Sequence, residues 1–484
     1  MRQLFQKQQE ETRVAPVLPT TLPTAVAAQS VSPSAAEIVS EKAVAEKEGM
    51  GQSRRVKPVL TPQVRAARRK RAAIITLAAS LLVGARWFQA NRDPVYPRGE
   101  GVYAPQIAPA WGKLKTPNAG TFYMAATDAF DYASVPNTIQ TDSAAAQKPV
   151  VAKAQPALAL LRQGMQYPYY GHLRTNYFHS DPVEATGIGR PVANYVATRE
   201  LARVLVAEAN VRASEGNTAG AIQSSLDVVR YGIDGAADEH SLVEGMIGSL
   251  VQGMGAKEGL KHVAGLSGAD ARAGAARLET MLASERSTAQ MITADRGMVY
   301  ETLGSMYRAG NAQEVTSAYS MSAPAIGEKL AYNAGVFVLT KQGVVNEFAT
   351  QYDRVLTRLK MPYQQSKGLP SVAESWNPLV RMATPNYERA FQQTTRTSAM
   401  NRVLLARLAV QAYRGEHNGA APASLAELTA GASPYLKAVP TDPFSRSGRD
   451  PLRYEATTGD AYSVGENGLD DRGAGDDRIE ADVK

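Results

Sequence analysis

The chain has 484 residues, is 44% hydrophobic and 20% charged, and contains no cysteine. That composition excludes disulfides, thiolate metal sites and cysteine nucleophiles, and it marks a globular chain with length for about three or four domains. The net charge of +7 invites a nucleic-acid reading, but residues 53–71 hold eight Lys/Arg and no acid, so the remainder is nearly neutral and no nucleic-acid partner is expected.

Residues 1–71 read as a flexible, basic tail, with Pro16, Pro19, Pro23 and Pro33 among Ala, Val, Thr and Ser and no sustained period. The basic run Arg68-Arg69-Lys70-Arg71 abuts fourteen uncharged residues, Ala72 to Ala85, followed by Arg86, Trp87 and Phe88. A membrane span needs about 20 residues. Residues 72–90 supply this as a single transmembrane anchor in the lipid bilayer, provided that Arg86 snorkels beside Trp87. Cations on one flank and aromatics on the other distinguish the segment from a buried core helix, and the long preceding tail argues against a cleaved signal peptide. The positive-inside rule places residues 1–71 in the cytoplasm and the chain after residue 90 outside, in a periplasm where one exists. The basic run also suits anionic headgroups, which would reinforce the anchor.

Residues 91–192 are rich in Pro, Gly and Tyr, as in Tyr96-Pro97-Arg98-Gly99 and Tyr167-Pro168-Tyr169-Tyr170-Gly171, and predict short, broken helices. From residue 193 to 390 the pattern is helical. Tyr195, Leu201, Val204, Leu205, Ala209 and Val211 recur at helical spacing, Glu215-Gly216-Asn217 interrupts, and Ala221, Ile222, Leu226 and Val229 begin a second helix. The resulting hairpin resembles a tetratricopeptide unit, in which small residues let two antiparallel helices approach closely. Further helices are expected near residues 240–264, 268–290, 292–309, 325–360 and 385–415.

No catalytic constellation stands out, and the chain is expected not to be an enzyme. The five histidines, His172, His179, His240, His262 and His417, show no metal-ligand spacing. Gly187-Ile188-Gly189-Arg190 is only a fragment of a phosphate loop, and the pairs Asp295 with Glu301 and Glu416 with Glu427 have no acid/base spacing. The rival enzyme reading rests on His172 and His179 among Tyr169, Tyr170, Tyr177 and Phe178.

Residues 391–484 form a distinct C-terminal module. An apolar stripe of Met400, Val403, Leu404, Leu408, Val410 and Ala412 ends at Asn418-Gly419, which suits a left-handed cap. A short helix with Ser424 as cap follows, then Tyr435-Leu436-Lys437-Ala438-Val439-Pro440-Thr441-Asp442-Pro443-Phe444, an extended turn. Leu452 to Glu455 and Ala461 to Val464 read as two antiparallel strands joined through Thr457-Thr458-Gly459-Asp460. Beyond Ser463-Val464-Gly465-Glu466-Asn467-Gly468, the acids Asp470, Asp471, Asp476 and Asp477 are interleaved with glycines. Hard oxygen ligands on a permissive backbone suit calcium, although a solvated acidic tail has the same composition.

This order of elements resembles the C-terminal module of the type II secretion major pseudopilin, over roughly the last 80 residues. The resemblance implies a bound calcium ion, held by the carbonyl of Val464 and the side chains of Asn467, Asp476 and Asp477, with Asp470 or Asp471 offsetting the charge lost where Asn467 replaces the family's usual Asp. It departs from that family at the membrane: Lys70-Arg71-Ala72-Ala73-Ile74 offers no prepilin cleavage point, and some 300 residues separate anchor from module.

The expected fold is mainly α: one transmembrane helix, an α-helical hairpin domain, and a small α+β pseudopilin-like module with a short antiparallel sheet. The expected role is structural or interaction work with protein partners in the cell envelope, linked to type II secretion or envelope assembly. The rival readings are a true pseudopilus component and an envelope enzyme at residues 166–179.

Overall fold

Apolar residues at three- and four-residue spacing close into packed helices over most of the chain. The computed structural model describes residues 62–96, 118–168, 189–236, 242–309, 340–372, 375, 380, 384 and 386–477. Among these lie α1 (Pro62–Asn91), α2 (Ala119–Asp128), α3 (Ala144–Gly164), α4 (Gly189–Ser214), α5 (Thr218–Gly235) and α6 (Leu242–His262). They continue with α7 (Gly268–Leu282), α8 (Thr288–Ala309), α9 (Lys341–Leu359), α10 (Tyr363–Lys367) and α11 (Tyr387–Glu416), and end in β1 (Arg453–Glu455) and β2 (Asp460–Tyr462). The fold is mainly helical with a short antiparallel sheet, as the periodicity requires. The tail before residue 62, His172, His179, His240 and the Tyr169–Phe178 region lie outside the described residues.

The chain divides into two units at Ala78 and Ala79, within α1. That helix is 30 residues long, about 45 Å at a rise of about 1.5 Å per residue. It starts well before the predicted span, so Arg65, Arg68, Arg69, Lys70 and Arg71 ride on the same helix as the apolar stretch. An 18-residue window has mean hydropathy 1.4, and none of it is buried. Ile74, Ile75, Leu81 and Leu82 are exposed, unlike the apolar face of a core helix. By length and composition α1 is able to cross a membrane.

The second unit begins with a departure from expectation. Instead of only broken pieces, residues 91–192 contain the 21-residue α3, which runs through Pro149 and Pro156. A proline inside a helix removes a backbone donor and costs about 3 kcal/mol. Both prolines lie on the exposed side, while Val151, Ala154, Leu158 and Leu161 are buried with α2 and α4 in one apolar cluster, and this burial offsets the cost.

The predicted hairpin forms as α4 and α5. Gly216 takes a φ of 80° at the turn, and the Asn217 side chain caps α5 by accepting from Gly220 N at 2.8 Å. The next pair is closer still. A Cβ on Gly248 of α6 would lie 2.5 Å from the Gly232 carbonyl oxygen of α5, and one on Gly255 would lie 2.6 Å from the Ser225 carbonyl oxygen. The two backbones therefore touch directly.

Buried charge joins these helices. Glu208 of α4 pairs with Arg162 of α3 and accepts from Arg212 at 3.1 Å, Ser224 at 2.7 Å and Gln155 at 3.2 Å. Asp227 of α5 accepts from Arg162 at 2.8 Å and from Arg277 of α7 at 2.6 Å. Burial alone would raise the Glu208 pKa, but Arg162 and Ser224 hold it below the usual carboxylate range.

A single apolar cluster then runs from α5, α6 and α7 through α11 into Leu425, Leu428, Leu436, Phe444, Leu452, Ala461 and Val464. The C-terminal segment is thus built onto the bundle, with α11 as the shared wall.

Gly248→Val is expected to destabilise the protein by about 2 kcal/mol or more, because the branched side chain would meet backbone in a close-packed seam. Gly253→Ala is the contrast, since its Cβ would meet only the Thr397 hydroxyl at 3.5 Å and alanine favours the helix by about 1 kcal/mol. Urea or thermal unfolding of the two variants checks the difference.

Candidate metal site

The C-terminal segment leaves α11 through Asn418 and Gly419, whose φ values are 54° and 85°. Gly419 N closes the end by donating to Arg414 O at 2.8 Å, which is the left-handed cap that Asn-Gly predicts. The expected short helix is a 3-10 turn, Leu425–Thr429, and Ser424 does not cap it with its side chain. The Glu427 carboxylate accepts from Ala423 N instead.

The extended turn pairs with the approach to the sheet: Asp442 N donates to Asp450 O at 2.7 Å and Leu452 N to Pro440 O at 3.0 Å. Strands β1 and β2 are antiparallel, with Arg453 opposite Tyr462 and Glu455 opposite Asp460. Arg407 of α11 holds β2 by donating to Ala461 O.

Asp442 connects these parts. Its carboxylate is 1% exposed and accepts from Phe444 N at 2.9 Å, Ser463 Oγ at 2.7 Å and Val464 N at 2.7 Å. Burial pushes its pKa up, and the three hydrogen bonds to the charged form oppose that shift. Sequence reading treats Asp442 as a turn residue; in the fold it fixes where Ser463-Val464-Gly465 enters the acidic loop.

That loop turns left-handed at Gly465, Gly468, Arg472, Gly473 and Gly475. Gly465 is the tightest point. A Cβ there would lie 2.5 Å from the Asp476 carbonyl oxygen and 2.6 Å from Asp476 Oδ2, so only glycine lets the backbone of residues 464–466 pass the acidic group. Asp471, Asp476 and Asp477 each offer an oxygen, and these lie within 4.8 Å of one another. Oxygens at about 2.3 to 2.6 Å from calcium would span up to that separation.

Asp477 is 1% exposed. Its Oδ2 accepts from Gly473 N at 3.0 Å, while its Oδ1 is buried without a hydrogen-bond partner. Burial, with the Asp471 and Asp470 charges, pushes its pKa up to about 6 against the opposing pull of backbone hydrogen bonds from Gly473 and Asp471.

The ligands suggested by sequence are placed as follows. Asp476 and Asp477 belong to the cluster, and Asp471 joins them in place of Asp470. Asp470 turns away to accept from Tyr462 OH at 3.1 Å and to face Arg453 at 3.4 Å. Asn467 presents its Nδ2 to the carboxylates, donating to Asp471 at 2.9 Å and Asp476 at 2.6 Å, while its Oδ1 accepts from Leu469 N. The amide N–H groups stand where a cation would neutralise those oxygens. Val464 is held by its own N–H on Asp442 at the entrance to the loop. The fitting donor set is therefore Asp471, Asp476 and Asp477, with Asn467 able to contribute oxygen only after its amide turns.

The other charged candidates have structural partners. His262 contacts Glu258 at 2.8 Å, and His417 stacks on Tyr413. Glu416 takes a bidentate pair from Arg272 and a bond from Tyr435 OH, and Glu427 bonds Tyr413 OH. Asp295 accepts from Tyr352 OH and Leu242 N.

No family model, curated protein or solved structure matches the chain.

Because the folded pKa of Asp477 is raised, its contribution to stability is full below the unfolded carboxylate pKa of about 4 and is lost as pH rises through about 6. In chelator, Asp477→Asn is therefore expected to gain stability relative to the unsubstituted protein between pH 4.5 and 7. Paired melting curves across that pH range measure the difference.

Proposed function

We propose that this is a single-pass membrane protein whose outward-facing helical domain ends in a calcium-stabilised, pseudopilin-like module. It acts by binding or assembly in the cell envelope rather than by catalysis. The span is residues 72–90, the basic tail lies on the cytoplasmic side, and the role connects to type II secretion or envelope assembly.

The observation that carries this reading is the Asp477 carboxylate: buried, short of one partner, and within reach of Asp471 and Asp476. A buried, unpaired carboxylate oxygen costs free energy, and a divalent cation supplies both the missing partner and the missing charge. Calcium would brace the loop against β2 and the Asp442 turn. The order of turn, hairpin and Ser-Val-Gly loop supports the pseudopilin comparison, and the exposed apolar face of α1 supports the anchor.

Thermal unfolding of the full chain in detergent, with calcium and with chelator, tests the reading. At about 100 times its dissociation constant, an ion that binds only the folded state adds about 2.7 kcal/mol. A rise of several degrees in melting temperature is expected, and Asp476→Ala with Asp477→Ala should abolish it. Equal curves from folded protein in both conditions would refute the calcium site.

A further inference from the structure

We infer that occupancy of the acidic loop is transmitted through Glu466 to a cleft of about 670 Å³ between α10 and the start of α11. This rests on the reading of the loop as a calcium site. It adds a regulatory role for that site, with Glu466 as the positioning residue.

Glu466 is held from both sides. Within the loop, its neighbour Gly465 lies against Asp476, and its other neighbour Asn467 donates its N–H to Asp476 Oδ2 at 2.8 Å. The position of the Asp476 carboxylate thus sets the backbone of residues 465–467.

Outside the loop, four groups of the helical layer hold Glu466. Its carbonyl accepts from Gln364 Nε2 at 3.2 Å and from Lys367 Nζ at 2.8 Å, both on α10. Its carboxylate accepts from Gln392 at 2.5 Å and Arg396 at 3.4 Å, both on α11. Gln364 also donates to Phe444 O at 3.1 Å, and the Tyr363 ring packs edge-on to Phe444 and to Phe391. Two of these holders, Lys367 and Gln392, line the cleft together with Arg358, Tyr363, Arg389 and Phe391.

Without a cation, the three carboxylates lie within a few ångströms of one another with the Asn467 amide between Asp471 and Asp476, and one Asp477 oxygen lacks a partner, so residues 465–477 open more readily than with the ion bound. Opening withdraws Glu466 and releases the Lys367 ammonium and the Gln392 amide toward the cleft. A bound cation draws Asp471, Asp476 and Asp477 together, fixes Glu466, and ties both side chains to the loop. Occupancy thereby selects between two arrangements of the cleft wall, and by linkage a ligand that prefers one arrangement changes the affinity for calcium equally.

Hydrogen exchange by mass spectrometry on the full chain in detergent, in calcium or chelator, tests the coupling. Calcium is expected to slow exchange at residues 465–477 and also in α10 and the first turns of α11. For amides whose opening releases the ion, the slowing approaches about 100-fold at 100 times the dissociation constant. In Glu466→Ala the loop should still respond while the α11 response falls away. A loop that slows without any change in α10 and α11 overturns the coupling and leaves the calcium site standing. An α11 response that survives Glu466→Ala overturns the role of Glu466. If neither the loop nor the helices respond, the calcium reading and the coupling both fall.

Discussion

The carboxylate of Asp442 accepts hydrogen bonds from Phe444 N, Ser463 Oγ and Val464 N, and in doing so locks a proline-fixed turn to the end of a two-stranded sheet. Neither piece is stable alone, because a three-residue hairpin is marginal in water and a Thr-Asp-Pro turn has no core. Together they bring Gly465 against Asp476 and deliver the acidic loop as a shaped group rather than a solvated run. A buried carboxylate is costly unless its oxygens are satisfied. Asp442 meets that condition with protein donors, whereas Asp477, equally buried, leaves one oxygen without a partner. The contrast between two aspartates in one module separates a structural carboxylate from one suited to a cation.

The module does not stand by itself. α11 lends one face to α6 and α7 and another to Phe444, Leu452 and Ala461, so module and bundle share one apolar cluster. Behind it, the bundle is held by two different means. Glycines bring α5 and α6 into backbone contact, where dispersion acts at short range. Elsewhere in the bundle, Glu208 and Asp227 collect guanidinium groups from several helices, which fixes their relative rotation and pairs both buried carboxylates.

Much of this was legible in sequence, and the misses have physical causes. The α4–α5 hairpin followed from apolar spacing and Glu215-Gly216-Asn217, because a local break and a local cap decide such a turn. The Asn418-Gly419 cap and the hairpin through Gly459 were legible for the same reason. Helix α3 is not legible, since proline ordinarily breaks a helix and the burial that overrides Pro149 and Pro156 is tertiary. The glycines of α6 are spaced irregularly, and nothing in one sequence says which of them meets another backbone. In the loop, composition pointed to oxygen ligands, but the choice of Asp471 over Asp470 depends on Tyr462 and Arg453 pulling Asp470 aside. Glu466 reads in sequence as one more acid of the loop, and its ties to α10 and α11 are not legible because its four partners lie far away in the chain.

Asp471, Asp476 and Asp477 are the proposed cation site. Tyr462, whose ring lies against Gly473 and whose hydroxyl bonds Asp470, provides a reporter beside it. Terbium prefers oxygen ligands as calcium does and luminesces when a nearby tyrosine is excited. Titrating terbium into the full chain is predicted to give saturable, tyrosine-sensitised emission that calcium displaces and that Asp471→Ala, Asp476→Ala or Asp477→Ala weakens. Folded protein that gives no sensitised emission, or emission unchanged by all three substitutions, would rule out a cation site at these three aspartates.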